Sequence, residues 1–163
     1  MPRRLFHYTT ATRFKAIIAD QKIKPATAGV PENEKPTTWF SFRQDWEPTA
    51  TPLIGNQHPG RLRRPTFREL AELDTPFRIE IDPATAPLDW PAWREASGVY
   101  PDTARALKRA AKKQKADVSD WRMSFEPVKW KDFVAIEAYV DGQWRDLAEV
   151  MAVSPANPTP ILG

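Results

Sequence analysis

Apolar and polar positions change their period several times along the chain, and each change marks an element. Leu5-Phe6-His7-Tyr8-Thr9 is an aromatic-rich run that predicts a short strand. The hydroxyl cluster Thr9-Thr10-Ala11-Thr12 behind it supplies candidate helix N-caps. Phe14, Ile17 and Ile18 then fall at i, i+3, i+4, with Arg13, Lys15 and Asp20 on the other face, so a short amphipathic helix follows. Thr37 to Phe42 is rich in strand formers, and Phe77-Arg78-Ile79-Glu80-Ile81 alternates strictly, the pattern of a half-buried strand. A helix is expected from about Thr103 to Lys115, capped by Asp102 or Thr103. Near the end, Phe133–Val140 and Gln143–Leu147 flank Asp141-Gly142. That dipeptide suits a two-residue hairpin turn, because both turn positions need positive φ.

Between these segments proline and glycine punctuate. Residues 25–36 read as a loop, and 48–66 as a long irregular loop of the kind that often carries function. Thr66 to Leu73 suits one or two helical turns. Residues 83–101, rich in proline and tryptophan, are expected to wrap over the surface. Short strands mixed with short helices point to an α+β fold. With no internal repeat and no shift in composition, residues 1–150 read as one domain, followed by a Pro-rich C-terminal tail over 151–163.

The 163 residues are enough for one self-sufficient core. The chain has no cysteine, which excludes disulfides, thiolate metal sites and cysteine nucleophiles and makes the cytoplasm the default compartment. With His7 and His58 as its two histidines, a three-histidine metal centre is excluded, and no metal is expected. The sequence holds no run long and apolar enough for a membrane span. The six glycines form neither a G-x-G-x-x-G nor a P-loop pattern, and there is no G-x-S-x-G elbow. Seven tryptophans are more than one small core usually takes, so some are expected in a pocket wall.

The candidate chemistry lies in an ordered set of short motifs. His7-Tyr8-Thr9 occupies the first strand, a helix follows, then Trp39-Phe40-Ser41, and far downstream comes Ser124-Phe125-Glu126. This order resembles the ADP-ribosyltransferase superfamily over roughly residues 4–147, including its small DNA-modifying toxin members. The resemblance implies a split, mostly antiparallel β-sheet with short helices and NAD, as substrate, bound in the cleft. It implies mono-ADP-ribosyl transfer with release of nicotinamide. Glu126 would stabilise the oxocarbenium-like transition state, and His7 would hold a ribose hydroxyl. Thr9 and Ser41 would support these contacts, and Tyr8, Trp39 and Phe40 would line the cleft. Trp46, in the cluster Asp45-Trp46-Glu47-Pro48-Thr49, is a candidate for the pocket wall or for a core plug. Ser124 stands where many relatives carry Gln or Glu, which argues against arginine as acceptor, and Pro127 suggests a strand edge or a bulge. Glu137 competes with Glu126 for the carboxylate role, its plainer reading being a solvent-facing strand residue.

Net charge is +3, but the cations are bunched. Arg61, Arg63, Arg64 and Arg68 lie within residues 51–68, which hold no acidic residue, and Arg105, Lys108, Arg109, Lys112, Lys113 and Lys115 crowd one helix. Such patches suit nucleic acid as acceptor or partner, against the plainer reading of a solvated face; a protein or small-molecule acceptor is the other possibility. The rival functions are an NAD glycohydrolase or RNA 2′-phosphotransferase of related fold, and a non-catalytic module that binds nucleic acid or a nucleotide.

Overall fold

A computed structural model describes residues 3–55 and 61–152. In chain order the elements are β1 (Leu5–Thr10), α1 (Ala11–Asp20), β2 (Lys22–Ile23), β3 (Thr38–Ser41), β4 (Ile54–Gly55), β5 (Leu62–Arg63), α2 (Phe67–Leu73), β6 (Pro76–Ile81), α3 (Trp90–Ala96), α4 (Pro101–Lys113), β7 (Trp121–Ser124), β8 (Val128–Lys129), β9 (Phe133–Val140), β10 (Gln143–Asp146) and α5 (Leu147–Ala152). This is an α+β fold. Six strands form one sheet in the order β10-β9-β6-β1-β3-β7, and every pairing in it is antiparallel. β2–β8 and β4–β5 form two small separate ladders.

The sheet is unevenly joined. β1 pairs with β6 along its whole length, from Leu5↔Ile81 to Thr10↔Pro76. With β3 it shares one registered pair, Phe6↔Ser41. Beyond that pair the two strands part, and among the described residues β1 and β3 share no further registered pair.

Side chains alternate across the sheet, which sends β1 residues to two different cores. Leu5 joins Phe40, Phe77, Ile79 and Ile81 under α1, whose Phe14 and Ile17 supply the facing apolar stripe. Phe6 and Tyr8 point the other way, onto Trp46 and Leu70 of α2. α2 begins with a full capping box, Thr66 and Glu69 each bonding the other's backbone. A third cluster forms beside β7, where Trp90 and Trp93 of α3 meet Trp121, Met123 and the buried Ala104 and Ala111 of α4.

Several expectations change. Residues 83–101 do not simply wrap the surface: Asp89 caps α3 through the Ala92 N–H, and Trp90 and Trp93, three apart, are driven inside together. α4 starts at Pro101 with Tyr100 as N-cap, not at Asp102 or Thr103, because proline fits the first helical turn. The expected loop 48–66 holds a 3-10 turn at Pro48–Ala50 and the β4–β5 ribbon, with residues 56–60 outside the described set. The Asp141-Gly142 hairpin forms with φ of 53° and 76°. Of the expected C-terminal tail, residues 151 and 152 belong to α5, and 153–163 lie outside the described residues. Among the described residues, no helix is long and apolar enough to cross a membrane, and no cluster of His, Cys, Asp or Glu suits a metal.

Candidate functional site

A cavity of about 570 Å³ opens where β1 and β3 part, within the size range of small-molecule sites. Both strands contribute to its wall, β1 through Phe6, His7, Tyr8 and Thr9, and β3 through Trp39, Phe40 and Ser41. α1 and β2 supply Arg13, Ile17, Lys22 and Ile23, the turn after β3 supplies Glu47, Thr49 and Ala50, and Leu107 of α4 and Trp121 close the far side. Six sequence-predicted residues, His7, Tyr8, Thr9, Trp39, Phe40 and Ser41, thus meet around one space. Trp39 and Phe40 take opposite faces of β3. Phe40 is buried under α1 and meets His7 edge-on at 5.7 Å, while Trp39 packs against Trp93 and Trp121.

His7 bridges the gap between the parted strands. Its Nδ1 lies 2.9 Å from the carbonyl oxygen of Trp39. A carbonyl only accepts, so Nδ1 carries the proton, and in the neutral ring Nε2 is then an acceptor. Burial pushes the imidazole below its ordinary pKa, with the nearby Arg13 cation adding to the effect. The neutral form, with Nε2 as acceptor, therefore prevails at pH 7. The cavity thus presents a hydrogen-bond acceptor suited to a hydroxyl.

The other polar groups are more committed. The Tyr8 hydroxyl donates to the Arg43 carbonyl, and burial raises its pKa. Ser41 Oγ donates to Glu47 at 3.0 Å and accepts from the Arg43 N–H at 3.1 Å. Glu47 is the carboxylate that sequence reasoning did not single out. It is buried, and four donors surround it: Ser41 Oγ and Trp121 Nε1 on Oε1, and the N–H and Oγ1 of Thr49 on Oε2. Those bonds use its acceptor sites, so Glu47 pins Trp121, Ser41 and Thr49 into the wall and has little left for a ligand. The cluster around residues 45–49 was legible; a carboxylate collecting donors from distant segments has no periodic signal.

The remaining predicted residues lie elsewhere. Trp46 fills the core behind the cavity, donating through Nε1 to Thr51 Oγ1 and stacking edgewise on Tyr8, and does not line the space. Glu126 sits in the turn between β7 and β8 with an exposed side chain that is not part of the lining. Its backbone is nonetheless tied to the cavity's edge. Thr38 Oγ1, next to Trp39, donates to the Glu126 carbonyl at 3.3 Å, and Val128 pairs with the lining residue Ile23. Pro127 falls in this turn at the open end of the edge strand β7, where a missing N–H costs no ladder bond. Glu137 is not solvent-facing: it accepts from Arg4 at 2.9 Å and from Arg78 at 3.0 Å in a half-buried ion network.

The basic segments contribute less to the cavity than their charge suggested. Arg63 is paired with Glu69 at 2.7 Å, and Arg64 donates to the Thr51 carbonyl. In α4, Leu107 reaches the cavity, whereas Arg105, Lys108, Arg109, Lys112 and Lys113 stand roughly 100–160° around the helix from it. The charged rim of the cavity comes from Arg13 and Lys22, together with Lys24, which is paired to Asp20 at 3.0 Å. Compared with protein-family models, with curated proteins and with solved structures, the chain matches none, so the reading of this site rests on its own geometry.

Proposed function

We propose that the cavity binds NAD and that the protein is an ADP-ribosyltransferase, breaking the bond between nicotinamide and ribose. The observation that carries the reading is His7, a cavity-lining residue whose imidazole is fixed through Nδ1 by the Trp39 carbonyl, which leaves Nε2 an acceptor in the neutral ring. A ribose hydroxyl donates to such an acceptor. The rings of Trp39, Phe40 and Trp121 give flat apolar faces for a heteroaromatic group. Arg13 and Lys22 bring to the cavity wall the positive charge that a diphosphate needs.

In the reaction the C1′–N bond breaks and its electron pair stays with the ring nitrogen. The pyridinium becomes neutral nicotinamide, and positive charge develops on the ribose. Water or the nucleophile of an acceptor then bonds to C1′ and gives up its proton. We assign Glu126, exposed at the cavity's edge and outside its lining, the carboxylate that turns towards the developing charge and receives that proton. Among the described residues its carboxylate makes no hydrogen bond or ion pair, whereas Glu47 is saturated and Glu137 is ion-paired.

Tryptophan emission tests the binding step, since Trp39 and Trp121 line the cavity. NAD should change the emission saturably, and His7→Gln should weaken the affinity about three- to tenfold, the worth of one hydrogen bond. An emission unaffected by NAD, or an affinity indifferent to His7→Gln, would overturn the reading.

A further inference from the structure

From Thr103 to Ala116 the chain carries six Lys and Arg residues and no Asp or Glu. Most of this stretch is α4, whose buried residues are the small Ala104 and Ala111. The cations take the exposed side, at Arg105, Lys108, Arg109, Lys112 and Lys113. Steps of four along the helix, Arg105 to Arg109 to Lys113 and Lys108 to Lys112, place like charges one turn apart, about 6 Å along the axis. Such pairs destabilise a helix slightly in water.

Among the described residues outside α4, five cations form salt bridges. Arg3 pairs with Asp120, Arg4 with Glu80 and Glu137, Lys24 with Asp20, Arg63 with Glu69, and Arg78 with Glu137. On α4 Arg105 alone is paired, to Asp102 of the first turn. Among the described residues, Lys108, Arg109, Lys112 and Lys113 form no salt bridge. Asp117, the next acidic residue, accepts the Ser119 N–H, and that bond holds its carboxyl below the ordinary range with help from Lys108.

We propose that this face of α4 is a docking surface for a polynucleotide, held through its phosphodiester backbone. Charge complementarity chooses the partner: closely spaced cations along a rod suit a polymer with regularly spaced negative charge. The uncharged exposed positions of α4 between Arg105 and Lys113 are Ala106 and Ala110. They offer no large apolar anchor for a membrane interface and no aromatic hot spot for a protein partner. The surface faces away from the Leu107 flank that lines the cavity, so it stands independently of the NAD reading.

Fluorescence anisotropy with labelled oligonucleotides, as single-stranded DNA, duplex DNA and RNA, tests the surface and separates these sources of the same backbone. Binding is expected at low salt. With four phosphates neutralised on a single strand it should fall about 50-fold between about 50 and about 200 mM salt. Lys108→Glu/Arg109→Glu/Lys112→Glu should abolish it. The Gln triple at the same positions, which keeps helix propensity, should weaken it more than tenfold. The inference is overturned by no binding at low salt, by triple variants that bind like the wild type, or by a preference for anionic vesicles or polyglutamate over every oligonucleotide. Nicotinamide release from NAD, assayed on the same samples, reports on the other reading and decides nothing here.

Discussion

His7 donates through Nδ1 to the main-chain carbonyl of Trp39, 2.9 Å away across the point where β1 and β3 separate. One side chain thus does the work of a missing ladder bond. It satisfies a carbonyl that the parted strand leaves open, and it fixes the tautomer that the cavity presents.

That relationship sets a pH dependence. Burial lowers the His7 pKa in the folded protein below the ordinary value of about 6.5. The unfolded chain therefore binds the proton more readily, and stability rises with pH across the window between the two values. The His7 contribution is complete above about pH 6.5 and is lost as pH falls through the lower, folded-state value. Urea unfolding of the wild type and of His7→Gln should show a stability difference that favours the wild type at pH 7.5 and narrows towards pH 5. A difference that grows on acidification would mean that the ring is folded in its charged form.

Glu47 holds the wall from behind. Its removal leaves the Trp121 Nε1 proton, the Ser41 hydroxyl and the Thr49 N–H without their acceptor in a buried place. Glu47→Ala is expected to cost about 2–4 kcal/mol of unfolding free energy. Glu47→Gln should cost less, since its carbonyl can still accept from Ser41 and Trp121 and only the Thr49 N–H loses its acceptor. Equal losses in the two variants, measured by denaturant titration, would contradict this account of the pin.

The link between α3 and α4 depends on one glycine. Gly98 has φ of +82°, and a β-carbon there would lie 2.1 Å from the Asn33 carbonyl oxygen. The loop before β3 is docked at this point, with Lys35 N–H donating to the Ser97 carbonyl and Asn33 Nδ2 to that of Gly98. Gly98→Ala must strain the backbone or push that loop away, at about 1–3 kcal/mol. Gly142→Ala shares the positive φ but meets nothing within 4 Å, so it should cost less. A thermal shift equal in both would show that the close approach does not matter.

Much of this was legible in the sequence where a segment's own pattern decides its state. The aromatic and β-branched runs 5–9 and 77–81 became strands, the Asp141-Gly142 turn closed its hairpin, and the helix near 103–115 formed within two residues at each end. The order His7, Trp39, Ser41 was enough to anticipate that they share one space. Illegible were features decided by distant partners. The proline- and tryptophan-rich stretch 83–101 was expected to wrap over the surface, but Asp89 caps a helix that carries Trp90 and Trp93 inwards. Glu47 collects its donors from residues 41, 49 and 121, and Glu137 its guanidinium groups from residues 4 and 78, which no local window contains. Glu126 lay in a recognisable motif, but in the turn with Pro127 its side chain is exposed and outside the cavity lining.

The most direct test of the central claim is nicotinamide release from NAD, quantified by chromatography for the folded wild type and for Glu126→Gln. The account predicts multiple turnovers by the wild type. It predicts a rate about two to three orders of magnitude lower in Glu126→Gln, the size expected when one electrostatic partner of the transition state is lost, with the melting temperature unchanged because the side chain is exposed. A wild type that releases no nicotinamide with oligonucleotide or protein acceptors present, or a Glu126→Gln variant that turns over as fast as the wild type, would contradict it.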